Sequence, residues 1–240
     1  MTAEPALTSP EHIPERPPGL RGVFADWSSD QRSFKSASWG KAMMWIFLVS
    51  DTFIFSCFLI SYMTVRMSTT VEWPHPSEIF ALEIGGKKIP LILIAIMTFD
   101  LITSSGTMAM AVNYGYQRDR KKAAILMLVT AFFGAAFVGM QAFEWTKLIH
   151  EGVRPWGNPF GAAQFGSTFF MITGFHGFHV SVGVIFLVLI AINVWRGDYD
   201  VGRRGFTSRK GRYEIIEIMG LYWHFVDLVW VFIFAFFYLW

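Results

Sequence analysis

A single cysteine, Cys57, among 240 residues excludes an internal disulfide and any thiolate metal cluster. Charge is also scarce. Asp, Glu, Lys and Arg make up 16% of the chain, against about a quarter in soluble domains, and they gather between long apolar stretches. No nucleophile elbow, phosphate loop or dinucleotide fingerprint is present, so the chain has no self-sufficient catalytic site of those kinds. No internal repeat is evident, which argues against a transporter built from inverted halves. The first 41 residues lack the apolar core of a cleaved signal peptide. They carry Pro5, Pro10, Pro14, Pro17 and Pro18 among polar residues and read as a mobile cytoplasmic tail.

What is abundant is apolar: 53% hydrophobic and 18% aromatic residues. Five runs, at about 42–65, 89–113, 123–147, 166–195 and 215–240, are each long enough to cross a hydrocarbon core of about 30 Å. The expected fold is an all-α membrane protein, a five-transmembrane-helix bundle over 42–240 behind the Pro-rich tail 1–41. Lys and Arg divide 15 to 5 between alternating sides. The richer side holds the tail with Arg16, Arg21, Arg32, Lys35 and Lys41, the loop from Arg118 to Lys122, and the loop from Arg196 to Arg212. That bias places the N-terminus in the cytoplasm and Trp240 on the outer, periplasmic side. The net charge of +2 follows from it and implies no nucleic-acid partner. Trp39, Trp45, Trp145, Trp195, Tyr238 and Trp240 fall where interfacial aromatic belts belong. Gly134, Gly166, Gly174, Gly177 and Gly183 supply small surfaces for close helix packing.

Ionisable groups inside these runs are the candidates for function, because a charge at that depth is expensive. Asp51 lies near the middle of the first span and reads either as a proton-binding carboxylate or as a hydrogen-bond anchor to another helix. Asp100 lies at similar depth among Thr98, Thr103, Ser104 and Ser105, a setting for a satisfied polar helix contact. Both aspartates cannot stay ionised in lipid, so at least one must be protonated, hydrogen-bonded or turned to another subunit. In the fourth span His176 and His179 share a face. Without a second such pair they read as packed, hydrogen-bonded histidines ahead of haem or metal ligands. Glu217, His224 and Asp227 form a stripe on the fifth span, which either guides protons or holds this helix to the fourth through His176 or His179. Gln141 and Glu144 share a face and suit a cap or bridge to a neighbouring helix.

Four strings carry a family resemblance: Leu48-Val-Ser-Asp51, Gly139 to Trp145, Phe165 to Val180, and Tyr222-Trp-His-Phe-Val-Asp-Leu-Val-Trp230. In order and spacing the chain resembles subunit III of the haem-copper oxidases, in a five-helix form that lacks the first two helices of seven-helix members. The resemblance implies a non-catalytic subunit of a proton-pumping terminal oxidase in the bacterial inner membrane, itself without cofactor, with haem and copper in partner subunits. It implies contact with subunit I chiefly, then subunit II, small subunits or a supercomplex, and phospholipids held in a cleft. It implies support of proton uptake and of active-site durability. Asp51 matches the family's buried, carbodiimide-reactive carboxylate, and His176, His179, Glu217, His224 and Asp227 match positions on two packed helices. Cytochrome c oxidase is the leading branch, on Glu217. A quinol oxidase or an accessory protein of nitric oxide reduction is the alternative, towards which the five-helix length and Ser50-Asp51 lean. An independent proton-coupled transporter is the remote one.

Overall fold

The computed structural model describes residues 39–84, 87–199 and 214–239. The Pro-rich tail, all of the basic loop after residue 199 and Trp240 therefore lie outside the described residues. Among the described residues there are five long helices, α1 (Trp39–Ser68), α3 (Ile92–Tyr116), α4 (Arg120–His150), α5 (Gln164–Arg196) and α6 (Glu214–Phe234), with α2 a single turn at Pro76–Ile79. Lipid offers no partner to backbone N–H and C=O groups, so apolar runs of this length satisfy them internally as helices. All five are long and apolar enough to cross a membrane, and they extend the expected spans by one to three residues at most ends.

The loop between α1 and α3 departs from an all-α fold. Ala81–Ile84 (β1) and Lys87–Pro90 (β2) pair antiparallel, with Leu82 opposite Ile89 and Glu83 opposite Lys88. Gly85-Gly86 between them is a two-residue hairpin signal, which a search for long apolar runs passes over. Leu91 then turns the chain into α3 with a left-handed backbone (φ 56°). Asp119 caps α4 by accepting from the Lys122 backbone N–H at 3.2 Å. The Lys122 ammonium and N–H together hold its carboxyl below the usual carboxylate range. Gly197 ends α5 in the left-handed region (φ 75°). At Gly161 (φ 140°) a side chain would meet the Glu72 carbonyl oxygen, so glycine there lets the two irregular loops touch. Beyond Phe234, α6 continues as a π-helical turn, Ala235–Leu239.

Helices α3, α4, α5 and α6 pack in a ring, α3 on α4, α4 on α5, and α6 against both α5 and α3. Trp223 of α6 lies at its centre, fully buried, with its indole N–H donating to Ser104 Oγ of α3 at 2.9 Å. Its ring occupies notches left by Gly134 on α4 and Gly183 on α5, where an added Cβ would collide with it. Two turns of α6 further on, Trp230 donates to Thr98 Oγ1 at 3.1 Å and packs edge-on against Phe137. At one end of the bundle Tyr62, Trp73, Phe80, Phe165, Phe169, Phe237 and Tyr238 make an aromatic cluster joining both loops to the C-terminal turn. Gly166 and Gly174 also have close neighbours, as expected of packing glycines, whereas Gly177 faces open space and packs against nothing.

Helix α1 is held differently. It meets α5 and α6 through side chains: Phe55 against Phe175 and His179, Phe47 against Tyr222, Tyr62 against Phe237, and Lys41 paired with Glu217 at 2.7 Å.

The Trp223 notch gives a clean test. Gly134→Ala should cost about 1–3 kcal/mol, because a rigid buried indole has nowhere to move. Gly139→Ala, on the same helix with nothing near its Cβ, should leave stability unchanged or slightly raised. Thermal unfolding of the two purified variants checks this, and equal midpoints would show that the notch does not constrain Trp223.

Candidate functional site

Asp51 is 3% exposed, and its Oδ1 lies 3.5 Å from His179 Nε2, while Oδ2 has no hydrogen-bond partner. The other ring nitrogen, His179 Nδ1, is 2.8 Å from the Phe175 carbonyl oxygen. A carbonyl can only accept, so Nδ1 carries a proton, and Nε2 of the neutral ring would present a lone pair to Asp51. A lone pair facing a carboxylate repels it. The contact therefore holds with one further proton on the pair, either on Nε2 as an ion pair or on Asp51 as a neutral acid. Both forms sum to zero charge, which suits the depth. Tyr222 of α6 donates to the His179 carbonyl oxygen at 2.9 Å, so three helices meet at this histidine. Asp51 thus meets another helix at His179, an arrangement compatible with either reading of it, anchor or proton-binding carboxylate.

Beside the pair lies an almost wholly apolar cavity of ≈ 530 Å³ between α1, α5 and α6, lined by Met44, Phe47, Phe178, His179, Phe186 and Tyr222 among others. The Lys41–Glu217 ion pair stands one turn beyond Met44 and next to Ile218, another lining residue.

His176 does not join its helical neighbour. It is fully enclosed, edge-on to Phe55 and Phe137 and stacked on Trp230 at 5.3 Å, and neither ring nitrogen has a hydrogen-bond partner. The expectation of a packed histidine holds and that of a hydrogen-bonded one does not, because the groups that surround it are aromatic rings without acceptors. Among the described residues no three of His, Cys, Asp and Glu come together to hold a metal ion.

The stripe on α6 is split between partners. Glu217 pairs with Lys41 of α1, and His224 Nδ1 lies 2.6 Å from Ser105 Oγ of α3. Neither reaches His176 or His179, because the residues of α6 that face α5 are Tyr222 and its neighbours. Asp227 is buried with neither carboxyl oxygen hydrogen-bonded. Asp100 also departs from expectation: its Oδ2 is buried and unpartnered. The hydroxyls of Thr98, Thr103 and Ser104 bond instead to carbonyls of their own helix, Ile94, Phe99 and Leu101. The bridge expected at Glu144 is present, since Gln141 Nε2 and the Tyr238 hydroxyl donate to Glu144 Oε2 at 3.1 and 3.2 Å, tying α4 to the C-terminal turn.

Sequence reasoning missed Tyr222, Ser105 and Lys41. A signal existed for His179, because a mid-membrane aspartate needs a partner and few intramembrane groups can offer a proton. None existed for the serine, whose hydroxyl is usually satisfied within its own helix.

Asp51→Asn keeps the shape of the side chain and removes the titratable group. The expected result is an assembled chain whose labelling by an apolar carbodiimide, a reagent for protonated carboxyls, falls to background. Mass spectrometry of the labelled chain checks it, and undiminished labelling would move the reactive carboxyl to Asp100 or Asp227.

The profile of the cytochrome c oxidase subunit III family matches residues 32–240. Among curated proteins, probable quinol oxidase subunit 3 of Staphylococcus saprophyticus is 32% identical over 206 residues, covering 86% of this chain and 90% of the relative. The proteins of the same name from Staphylococcus aureus and Staphylococcus epidermidis are 32% identical over 195 residues, covering 81% of this chain and 86% of theirs. The chain belongs to the subunit III family of the haem-copper oxidases, and is thus a multi-pass membrane subunit of an oxidoreductase complex.

Proposed function

From that membership we propose that the chain is the non-catalytic subunit III of a bacterial terminal oxidase whose electron donor is a quinol. The observation that carries the donor is the name shared by relatives matching more than four-fifths of the chain. It favours the quinol branch over cytochrome c, which led on the strength of Glu217. Glu217 has a task that does not depend on the donor, since its ion pair with Lys41 joins α1 to α6. The cytochrome c reading stays second, on the description of the family profile.

In this reading haem and copper sit in partner subunits, subunit I foremost, and this chain supports their proton uptake and durability. Asp51 and His179 hold the shared proton, and the apolar cavity beside them suits the hydrocarbon chain of a phospholipid. The excess of Lys and Arg on one side supports a cytoplasmic N-terminus and an outer C-terminus in the inner membrane.

The oxidase purified through this chain should consume O₂ with a soluble quinol and not with reduced cytochrome c. Turnover with cytochrome c and a binuclear copper signal in subunit II would reverse the assignment. Orientation is checked in a Cys57→Ser background. Thr70→Cys, at an exposed position after α1, should react with an impermeant maleimide added to intact cells, and Gln117→Cys, after α3, should not. The opposite pattern would invert the topology.

A further inference from the structure

Two carboxyls, a hydroxyl and an imidazole meet on the seam between α3 and α6. Asp227 stands midway along the 26-residue span Glu214–Leu239 and is 7% exposed. The two helices run antiparallel, and the bonds Trp223–Ser104, His224–Ser105 and Trp230–Thr98 set their register. In that register Asp100 of α3 comes level with Asp227, close enough for the charge of one to act on the other. The Ser105 hydroxyl lies 2.6 Å from His224 Nδ1 and within reach of the Asp227 carboxyl.

Donors for two carboxylates are lacking here. The Trp223 and Trp230 N–H groups are committed to Ser104 and Thr98. The hydroxyls of Thr98, Thr103 and Ser104 donate to carbonyls of α3 itself. Apart from Ser105, no group among the described residues offers a hydrogen to either oxygen of Asp227, and Asp100 Oδ2 is buried without a partner. Two unsupported negative charges at mid-membrane are untenable, and neighbouring carboxyls resolve this by holding protons. With His224 included, charge balance admits two arrangements. Either both acids are protonated beside a neutral imidazole, or one acid is protonated and the other ionised beside an imidazolium. Each leaves a proton on at least one carboxyl.

We propose that Asp100, Asp227, Ser105 and His224 form a proton-binding site within the membrane, apart from Asp51–His179, in which Ser105 passes a proton between Asp227 and His224. In one arrangement the Asp227 O–H donates to Ser105 Oγ and the Ser105 O–H donates to His224 Nδ1. In the other, His224 Nδ1–H donates to Ser105 Oγ and the Ser105 O–H donates to Asp227. Going from the first to the second breaks the O–H bonds of Asp227 and Ser105 and forms an N–H on His224 and a new O–H on Ser105. The net charge stays at zero. Only hydrogens move, which suits a seam held between two anchored indoles. The Asp51–His179 pair joins α1 to α5, and the apolar cavity beside it is lined by none of these four residues. A reagent that enters through that cavity meets Asp51 and not this site, so infrared absorption is the suitable probe.

The test is infrared spectroscopy of the intact oxidase, following the carbonyl band of protonated carboxyl groups and its shift in heavy water. Asp227→Asn and Asp100→Asn keep the shape of each side chain. At least one of them should lose a protonated-carboxyl band that the wild type shows at neutral pH. Ser105→Ala leaves both carboxyls in place and should shift that band, because the site loses its bridging hydroxyl. Ser105→Thr, which keeps a hydroxyl, should return the band to its wild-type position. Should the aspartate variants fail to assemble, the two serine variants decide alone. The full wild-type band in both aspartate variants, or a band that Ser105→Ala leaves unmoved, would overturn the proposal.

Discussion

The indole of Trp223 is the piece on which the four-helix ring depends. In lipid the hydrophobic effect gives helices little reason to associate, so close packing and polar contacts must do it. Trp223 supplies both at one point. Its ring is received by Gly134 and Gly183 on two neighbouring helices, and its N–H is received by Ser104 on a third. Because the notches are absences of side chains, the indole has one seat, and the register of α6 against α3, α4 and α5 follows from it. Trp230, seven residues on, repeats the arrangement with Thr98 and Phe137.

With α6 fixed, the positions of the polar groups around it are determined. Tyr222 and Trp223 are adjacent and both lie against Gly183 of α5, so the contact that seats the indole also brings the Tyr222 hydroxyl to the His179 carbonyl one turn away. That places His179 where Asp51 of α1 can meet it. Helix α1 receives no aromatic ring in a glycine notch and is held by the Asp51–His179 pair, the Lys41–Glu217 pair, aromatic contacts and Ile218 against Gly40. The cavity between α1, α5 and α6 is the geometric consequence of attaching a helix by long side chains. A neutral, one-proton pair at its wall is one of the few ionisable arrangements hydrocarbon tolerates.

Much of this was legible in the chain, and the limits have physical causes. Helix number and extent follow from apolar length alone, because lipid permits one solution for the backbone. That Asp51 needed a partner also follows, and the family strings marked both Asp51 and His179. The partners of the α6 stripe were not legible. Glu217, His224 and Asp227 are spaced seven and three residues apart and look like one face, yet α6 is clasped on several sides, so residues offset by part of a turn meet different helices. The serines and threonines around Asp100 misled for another reason. A hydroxyl in a helix can bond to the carbonyl a turn earlier, so proximity in sequence to a carboxylate does not make it a donor. The hairpin was missed because eight residues of strand leave no imprint on a pattern read in spans of twenty.

Most buried polar groups find their partner within the chain. Glu144 is answered by Gln141 and Tyr238, Glu217 by Lys41, Asp51 by His179, and each of these contacts joins elements of this one chain. His176 is unanswered, but it is sealed among rings in the interior and kept neutral by the absence of any acceptor to favour its charge. Asp227 is buried on α6 with Ser105 of α3 close by, in reach of a hydroxyl that already meets His224. A subunit that must both fold in lipid and bind another protein within it faces opposed demands: bulky apolar groups suit the first, and exposed polar or small residues suit only the second.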